Sequence, residues 1–257
     1  MDDSRRLARR RFLGGAASGV AALLLGGCDK LSESAPFVRV LDSAEAVSKY
    51  VQRAITGRQA TAAEFTEADL SPAFRSNGTH DPDDAGYQAL ARNGFADWRL
   101  DVGGLVERPT QFSLAELRAL PSRTQITRHD CVEGWSCIGK WKGVRLSAVF
   151  DQVGVRSGAR YAMFFCADPM DPFGNKYYES ADLEDAYHPQ TILAYEMNDR
   201  TLPIPYGAPL RLRNERQLGY KMAKYIMRIE LVDSFARIGG GRGGYWEDQG
   251  YERYAGI

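Results

Sequence analysis

The stretch Arg128-His129-Asp130-Cys131-Val132-Glu133-Gly134-Trp135-Ser136-Cys137 governs how the rest of the chain is read. It continues a run of strand composition, Thr124–Arg128, and is followed by Trp141 and the segment Gly143–Leu146. Cys131 is therefore expected on a polar loop after a strand. Arg128 and His129 are neighbours of the kind that lower a thiol pKa, and a thiolate is the soft ligand a redox metal prefers. Spacing alone leaves two readings level: a metal-ligating Cys131, or a Cys131–Cys137 disulfide across a short loop. A thiol nucleophile would need a paired base. His129, two residues away, is expected on the opposite face and does not supply one.

Outward from this segment, strand signals dominate. Trp98, Leu100 and Val102 alternate with Arg99 and Asp101 before Gly103-Gly104, as a half-buried strand would. Arg160–Cys166 has strand composition, Thr191–Met197 and Leu210–Arg213 flank a Pro- and Gly-rich loop, and Met227, Ile229 and Leu231 alternate with Arg228 and Glu230. Helices are short. Ser113-x-x-Glu116 is a capping box opening a helix with Leu114, Leu117 and Leu120. Ser147–Val153 reads as one or two turns ending at Gly154. Asp42-x-x-Glu45 is a second capping box, followed by Val47, Tyr50, Val51, Ala54 and Ile55 at helical spacing and stopped by Gly57. Residues 31–42 read as a tether and 71–86 as loop. The expected class is α+β, strand-rich with a mixed sheet. The expected organisation is a segment 28–70 of tether and N-terminal helix, then one domain over 71–257.

The first residues carry an address. Arg5, Arg6, Arg9, Arg10 and Arg11 form a basic head, and an apolar, small-residue run extends from Phe12 to Leu25. That run is short for a membrane span and has the form of a signal h-region. Arg9-Arg10-Arg11-Phe12-Leu13 resembles a twin-arginine signal, a route for proteins that fold around a cofactor before export. The alternatives are an ordinary secretory signal or a short anchor. Leu25-Gly26-Gly27-Cys28 resembles a lipobox. Cys28 would then be acylated and hold the protein at the inner membrane; the alternative is simple cleavage near Gly27. The expected location is periplasmic. Removing the five Arg and two Asp of residues 1–27 from 33 basic and 33 acidic residues leaves 28 and 31, a net of −3. Nothing in this balance suggests a nucleic-acid partner.

The segment His129–Leu146 resembles the cysteine motif of the sulfite oxidase-like molybdopterin family. It is most similar to the branch of periplasmic methionine-sulfoxide reductase catalytic subunits, with Cys-Val-Glu, a small residue and Trp-Ser. The resemblance continues through Leu100–Leu120, His188-Pro189 to Tyr195, Gly207-Ala208-Pro209-Leu210-Arg211-Leu212, and Gly219-Tyr220-Lys221 with Lys224. These motifs cover about residues 70–235. Sulfite oxidases proper have a different run after their Cys, which weakens sulfite itself as a substrate.

The resemblance implies a sulfite oxidase-type fold and a molybdenum–molybdopterin cofactor ligated by Cys131. It places cofactor contacts on Arg75, Ser76, Cys166, Tyr206, Arg211, Met222, Ala223 and Lys224. Arg211 suits phosphate through its planar fork and Lys224 as a point charge. Two positions depart from the family: Cys166 stands where relatives usually have Thr and donates weakly, and Tyr206 stands where they have Asn or His. The implied activity is oxygen-atom transfer, or a related two-electron reaction, on a small S- or N-oxide or sulfite-like substrate. The competing reading is a non-catalytic exported lipoprotein of the same fold with the Cys131–Cys137 disulfide. No Cys-x-x-Cys-His occurs, so electrons are expected from a separate membrane haem protein or cytochrome. The tail Gly244–Ile257 resembles the Trp-Glu…Gly-Tyr end of some relatives, which implies packing near the pocket mouth. Gly239, Gly241 and Gly244 imitate a dinucleotide fingerprint, but Tyr245-Trp246-Glu247 follows in place of a βαβ helix.

Overall fold

Helix α1 (Ala35–Thr56) begins seven residues before the expected cap, so Asp42 lies inside it. Pro36 sits in the first turn, where its missing N–H costs nothing. Gly57, at φ +81°, ends it as expected. The computed structural model describes residues 34–57 and 60–257. The signal, the lipobox and Cys28 lie outside the described residues. The chain divides into two compact units, Met1–Gln52 and Arg53–Ile257. In the first, the described residues are Ser34 and most of α1. No described helix is long and apolar enough to cross a membrane.

The second unit holds two sheets. In one, β1 (Leu100–Gly104) lies between β2 (Thr110–Phe112) and β10 (Ile226–Val232), followed by β5 (Tyr161–Pro169) and β6 (Lys176–Asp182). The β1–β10 pair is parallel and the rest antiparallel. In the other, β3 (Ser122–Cys131), β4 (Trp135–Arg145), β7 (Ile192–Met197) and β8 (Arg200–Thr201) lie in that order, and β9 (Arg211–Arg213) pairs with β7. This is the strand-rich α+β arrangement with a mixed sheet that the alternation implies. Helix α2 (Ala85–Arg92), capped by the Asp84 carboxylate, follows the expected loop. Helix α3 (Leu114–Ala119) keeps both hydrogen bonds of its Ser113–Glu116 capping box. Helix α4 (Leu146–Val153) ends at Gly154 in the left-handed region.

The main core joins the two sheets. Leu100, Val102, Phe164, Ile229 and Leu231 from the first meet Val144, Leu193 and Leu212 from the second, with Leu117, Leu146 and Phe150 from the helices. Each such side chain contributes about 1.5–3 kcal/mol of burial. On the other face of the second sheet, Phe74, Cys137, Trp141, Ile192, Ala194 and Met197 form a smaller cluster. One irregularity divides the faces. Lys142 pairs with Glu196 and Gly143 with Ala194, so Tyr195 is an extra residue in β7. It lets Ala194 and Met197 share a face although three residues apart. Gly143 is required here, because a Cβ would lie 2.2 Å from the Leu193 carbonyl oxygen.

Candidate functional site

Strand period two builds the site. β3 runs through Cys131 rather than releasing it to a loop, and Cys131 pairs with Trp135, His129 with Cys137 and Gln125 with Trp141. Residues two apart share a face, so His129 and Cys131 lie on the same side, which corrects the expectation that they diverge. Ala194 pairs with Arg211 and Ile192 with Arg213, bringing both guanidiniums over Trp141, at 4.9 and 4.4 Å from the ring centroid. Gln125, Thr127, His129 and Cys131 are all buried on this face.

Cys131 lines a solvent-open cleft of about 170 Å³, together with Asn77, Thr79, Asp168, Met222 and Lys224. Cys131, Cys137 and Cys166 are free thiols, so the Cys131–Cys137 disulfide is overturned. Cys137 instead accepts the Arg75 backbone N–H at 3.4 Å. Burial pushes the Cys131 thiol up, opposed by backbone N–H groups of Glu133 and Val132 and by the Arg75 charge. The sequence suggests a lowered value, but its two neighbours are engaged elsewhere. Arg128 Nε donates to Asp130 at 2.9 Å, and burial beside Arg213 holds His129 neutral. His129 Nδ1 faces Arg213 Nη1 at 3.0 Å. Gly219 closes over the ring: a Cβ there would lie 2.5 Å from Nε2.

The cations of this site are buried without an ion pair of their own, although Asp168 lies near enough to Lys224 to act on its charge. Arg211 is 1% exposed. One nitrogen donates to the Tyr206 carbonyl at 3.0 Å, while Nε and Nη2 have no partner. Burial, then Arg213, brings its pKa down to about 9. Lys224 Nζ donates to the carbonyls of Asn77 at 2.7 Å, Thr79, and Pro205 at 3.0 Å. Burial, then Arg211, lowers it to about 7. Gly207 (φ +110°) lies against both, since a Cβ would meet Lys224 Cβ at 2.9 Å and Arg211 Cβ at 3.1 Å. No carboxylate bridges Arg211 or Lys224 among the described residues. Buried positive charge with open donors fits an anion such as a phosphate, and the thiol fits a soft metal.

The structure brings Cys131, Met222 and Lys224 to the cleft wall. Ser76 joins the Lys224 end by donating to the Pro205 carbonyl at 2.6 Å. Tyr206 donates to the Phe74 carbonyl at 2.7 Å, beside Arg211. Arg75 is exposed, with its guanidinium 5.3 Å from the Trp135 ring. Cys166 and Ala223 belong to the main core and not to the cleft lining. Burial, then Asp168 and Glu179, raise the Cys166 thiol well above its usual value. Among the described residues no three His, Cys, Asp or Glu cluster as a metal site.

Sequence reasoning missed Asp168, whose carboxyl is buried in the cleft wall. It also missed the ion pair Arg213–Glu215 at 2.6 Å and the triad in which Lys221 bridges Glu179 and Glu247. No local pattern marks these groups. The tail does reach the cleft: Trp246, on the short helix α5 (Tyr245–Asp248), and Tyr251 both line it. The Asp248 carboxylate accepts the N–H groups of Gly240 at 2.6 Å and Arg242 at 3.1 Å. The glycine-rich loop thus serves the tail.

Residues 88–237 match the family described as "Oxidoreductase molybdopterin binding domain". The chain is 45% identical over 161 residues to an Azospira oryzae protein provisionally named protein-methionine-sulfoxide reductase subunit YedZ1, over 63% of this chain and 56% of that protein. It is 36% identical over 148 residues to the protein-methionine-sulfoxide reductase catalytic subunit MsrP of Xanthomonas axonopodis pv. citri, covering 54% and 46%. It is 33% identical over 178 residues to MsrP of Ralstonia nicotianae, covering 66% and 53%. The chain spans about half the length of the curated relatives it matches. A solved structure, the sulfane dehydrogenase SoxCD from Paracoccus pantotrophus, aligns with a TM-score of 0.48 at 23% identity over 54% of this chain and 39% of its own.

Proposed function

The chain belongs to the oxidoreductase molybdopterin binding domain family, and on that premise we propose that it is an exported enzyme moving an oxygen atom to or from a small S- or N-oxide or sulfite-like substrate. Sulfoxides head this class, because the relatives carry methionine-sulfoxide reductase names. Reduction of a sulfoxide takes two electrons and two protons and yields a thioether and water. A separate membrane haem protein or cytochrome supplies the electrons. The enzyme works in the periplasm, held at the inner membrane through an acylated Cys28. The domain over 71–257 carries the activity.

The observation that carries this reading is one cleft lined by the Cys131 thiol and the buried cation Lys224, whose ammonium donates to backbone carbonyls, with Arg211 behind Gly207. When bound, the molybdenum–molybdopterin group supplies the two-electron chemistry. Cys131 would hold the metal. Arg211 and Lys224 would hold the phosphate, with Ser76 and Tyr206 fixing the carbonyls around them. Met222 would line the cofactor, Arg75 would reach it from the rim, and Ala223 and Cys166, in the core, would back the cleft wall rather than line it. His129 and Gly219 pack against each other beside Cys131 and hold its strand end in place.

The test is molybdenum and pterin content of protein matured in a molybdenum-replete host, beside Cys131→Ser. Stoichiometric molybdenum in the wild type, with lost or altered metal ligation in the variant, is expected. A properly matured wild type without molybdenum would refute the reading.

A further inference from the structure

Asp168 lies on β5, where the pairing with β6 slips between Phe165 and Pro169. Asp168 follows Phe164 and Cys166 at strand period two, beyond the core those residues fill, and there it lines the cleft wall. The side chain lines the same cleft as Cys131 and Lys224, yet the residue is only 4% exposed. The Thr79 hydroxyl hydrogen-bonds the carboxyl, but Oδ1 is buried without any donor. Burial raises its pKa to about 6, leaving it mostly ionised at neutral pH. An ionised oxygen buried without a donor is costly and marks a place where a ligand donor is missing.

The partner must carry N–H or O–H groups and cannot be the phosphate, because two anions would repel. A pterin offers what is required: its pyrimidine edge presents an amino group and a ring N–H. From these observations we infer that Asp168 is the acceptor for the N–H edge of the bound pterin. The inference rests on the proposed cofactor site. The cleft then provides one group for each part of the cofactor: the Cys131 thiol for metal, Lys224 with Arg211 for phosphate, and Asp168 for the ring. Asp168 binds and orients; no step of the reaction is assigned to it.

The experiment compares wild type and Asp168→Asn for pterin retained after extended dialysis, measured as the fluorescent oxidised derivative, with molybdenum content alongside. The amide keeps the shape but replaces an anionic acceptor with a weaker one and adds a donor facing donors. Retained pterin is expected to fall about tenfold, the scale of one charge-assisted hydrogen bond. The cofactor-free variant is expected to melt at or above the wild type, since a buried amide costs less than a buried carboxylate. Wild-type retention by the variant would overturn the inference while leaving the cofactor site standing. A lower melting point of the cofactor-free variant would also overturn it, by making the carboxylate a structural group. A wild type that carries no pterin would remove the cofactor site and this inference together.

Discussion

Lys221 bridges the carboxylates of Glu179 and Glu247, whereas Lys224, three residues on, donates to the backbone carbonyls of Asn77, Thr79 and Pro205. Arg213 and Arg211 repeat the contrast on β9. Arg213 is saturated by Glu215, Thr127 and His129, while two nitrogens of Arg211 go without partners. All four side chains are buried. Lys221 and Arg213 form closed sets, each paired to carboxylates within the protein; Lys224 and Arg211 form an open set that makes no such pair among the described residues. Closed buried charge holds the fold, and open buried charge marks the site.

The most severe test of this contrast is Lys221→Met. It leaves the Glu179 and Glu247 carboxylates facing each other in the interior, where removal of one partner costs about 3–5 kcal/mol. A denaturant midpoint of the cofactor-free protein should fall accordingly, and an unchanged midpoint would erase the distinction.

A smaller effect is expected from pH. Lys224 titrates near 7 in the fold against 10.5 in the free side chain. Between those values the unfolded chain holds a proton that the folded, cofactor-free protein has released. Stability should therefore rise with pH from about 7 to 9, by on the order of 1–2 kcal/mol. Chemical denaturation across that range should show the rise in wild type and lose it in Lys224→Met. The same titration implies weaker anion binding as pH climbs above 7.

Arg211→Met should change stability least. The substitution loses one hydrogen bond and the stacking on Trp141 but relieves a buried charge repelled by Arg213. The cofactor-free melting temperature should stay level or rise, within about 1 kcal/mol, while retained pterin falls. A large loss of stability would move Arg211 into the closed set.

How much of this was legible depended on whether the signal was local. The alternation around Trp98–Val102 and Met227–Leu231, the Ser113–Glu116 capping box and the stop at Gly154 are short-range patterns, and the fold keeps them. Cys131, Arg211 and Lys224 were picked out as candidates through the family resemblance, and the fold places Cys131 and Lys224 on one cleft wall. Asp168, Lys221 and Glu247 were not, because nothing adjacent shows that a charged residue will be buried or what it will meet. The cap at Asp42 misled because a helix tolerates Pro36 in its first turn. Cys131 was misplaced on a loop because the tight turn at Gly134 (φ +83°) lets the strand continue to the thiol.

The extra residue at Tyr195 has a meaning for how this sheet can diverge. A strand with a simple alternation absorbs substitutions and, near its ends, changes of length. Here one surplus residue keeps Ala194 and Met197 on the same side, and Ala194 is the rung on which Arg211 hangs. Loss of this surplus residue would leave Gly143↔Ala194 and Lys142↔Glu196 as consecutive rungs of a regular ladder, so both halves of the strand would keep their faces and only the local bend and the Tyr195 side chain would go. The strand can therefore shorten by one residue at this point without moving the Arg211 rung, whereas the same loss in an unbulged strand would turn one half over.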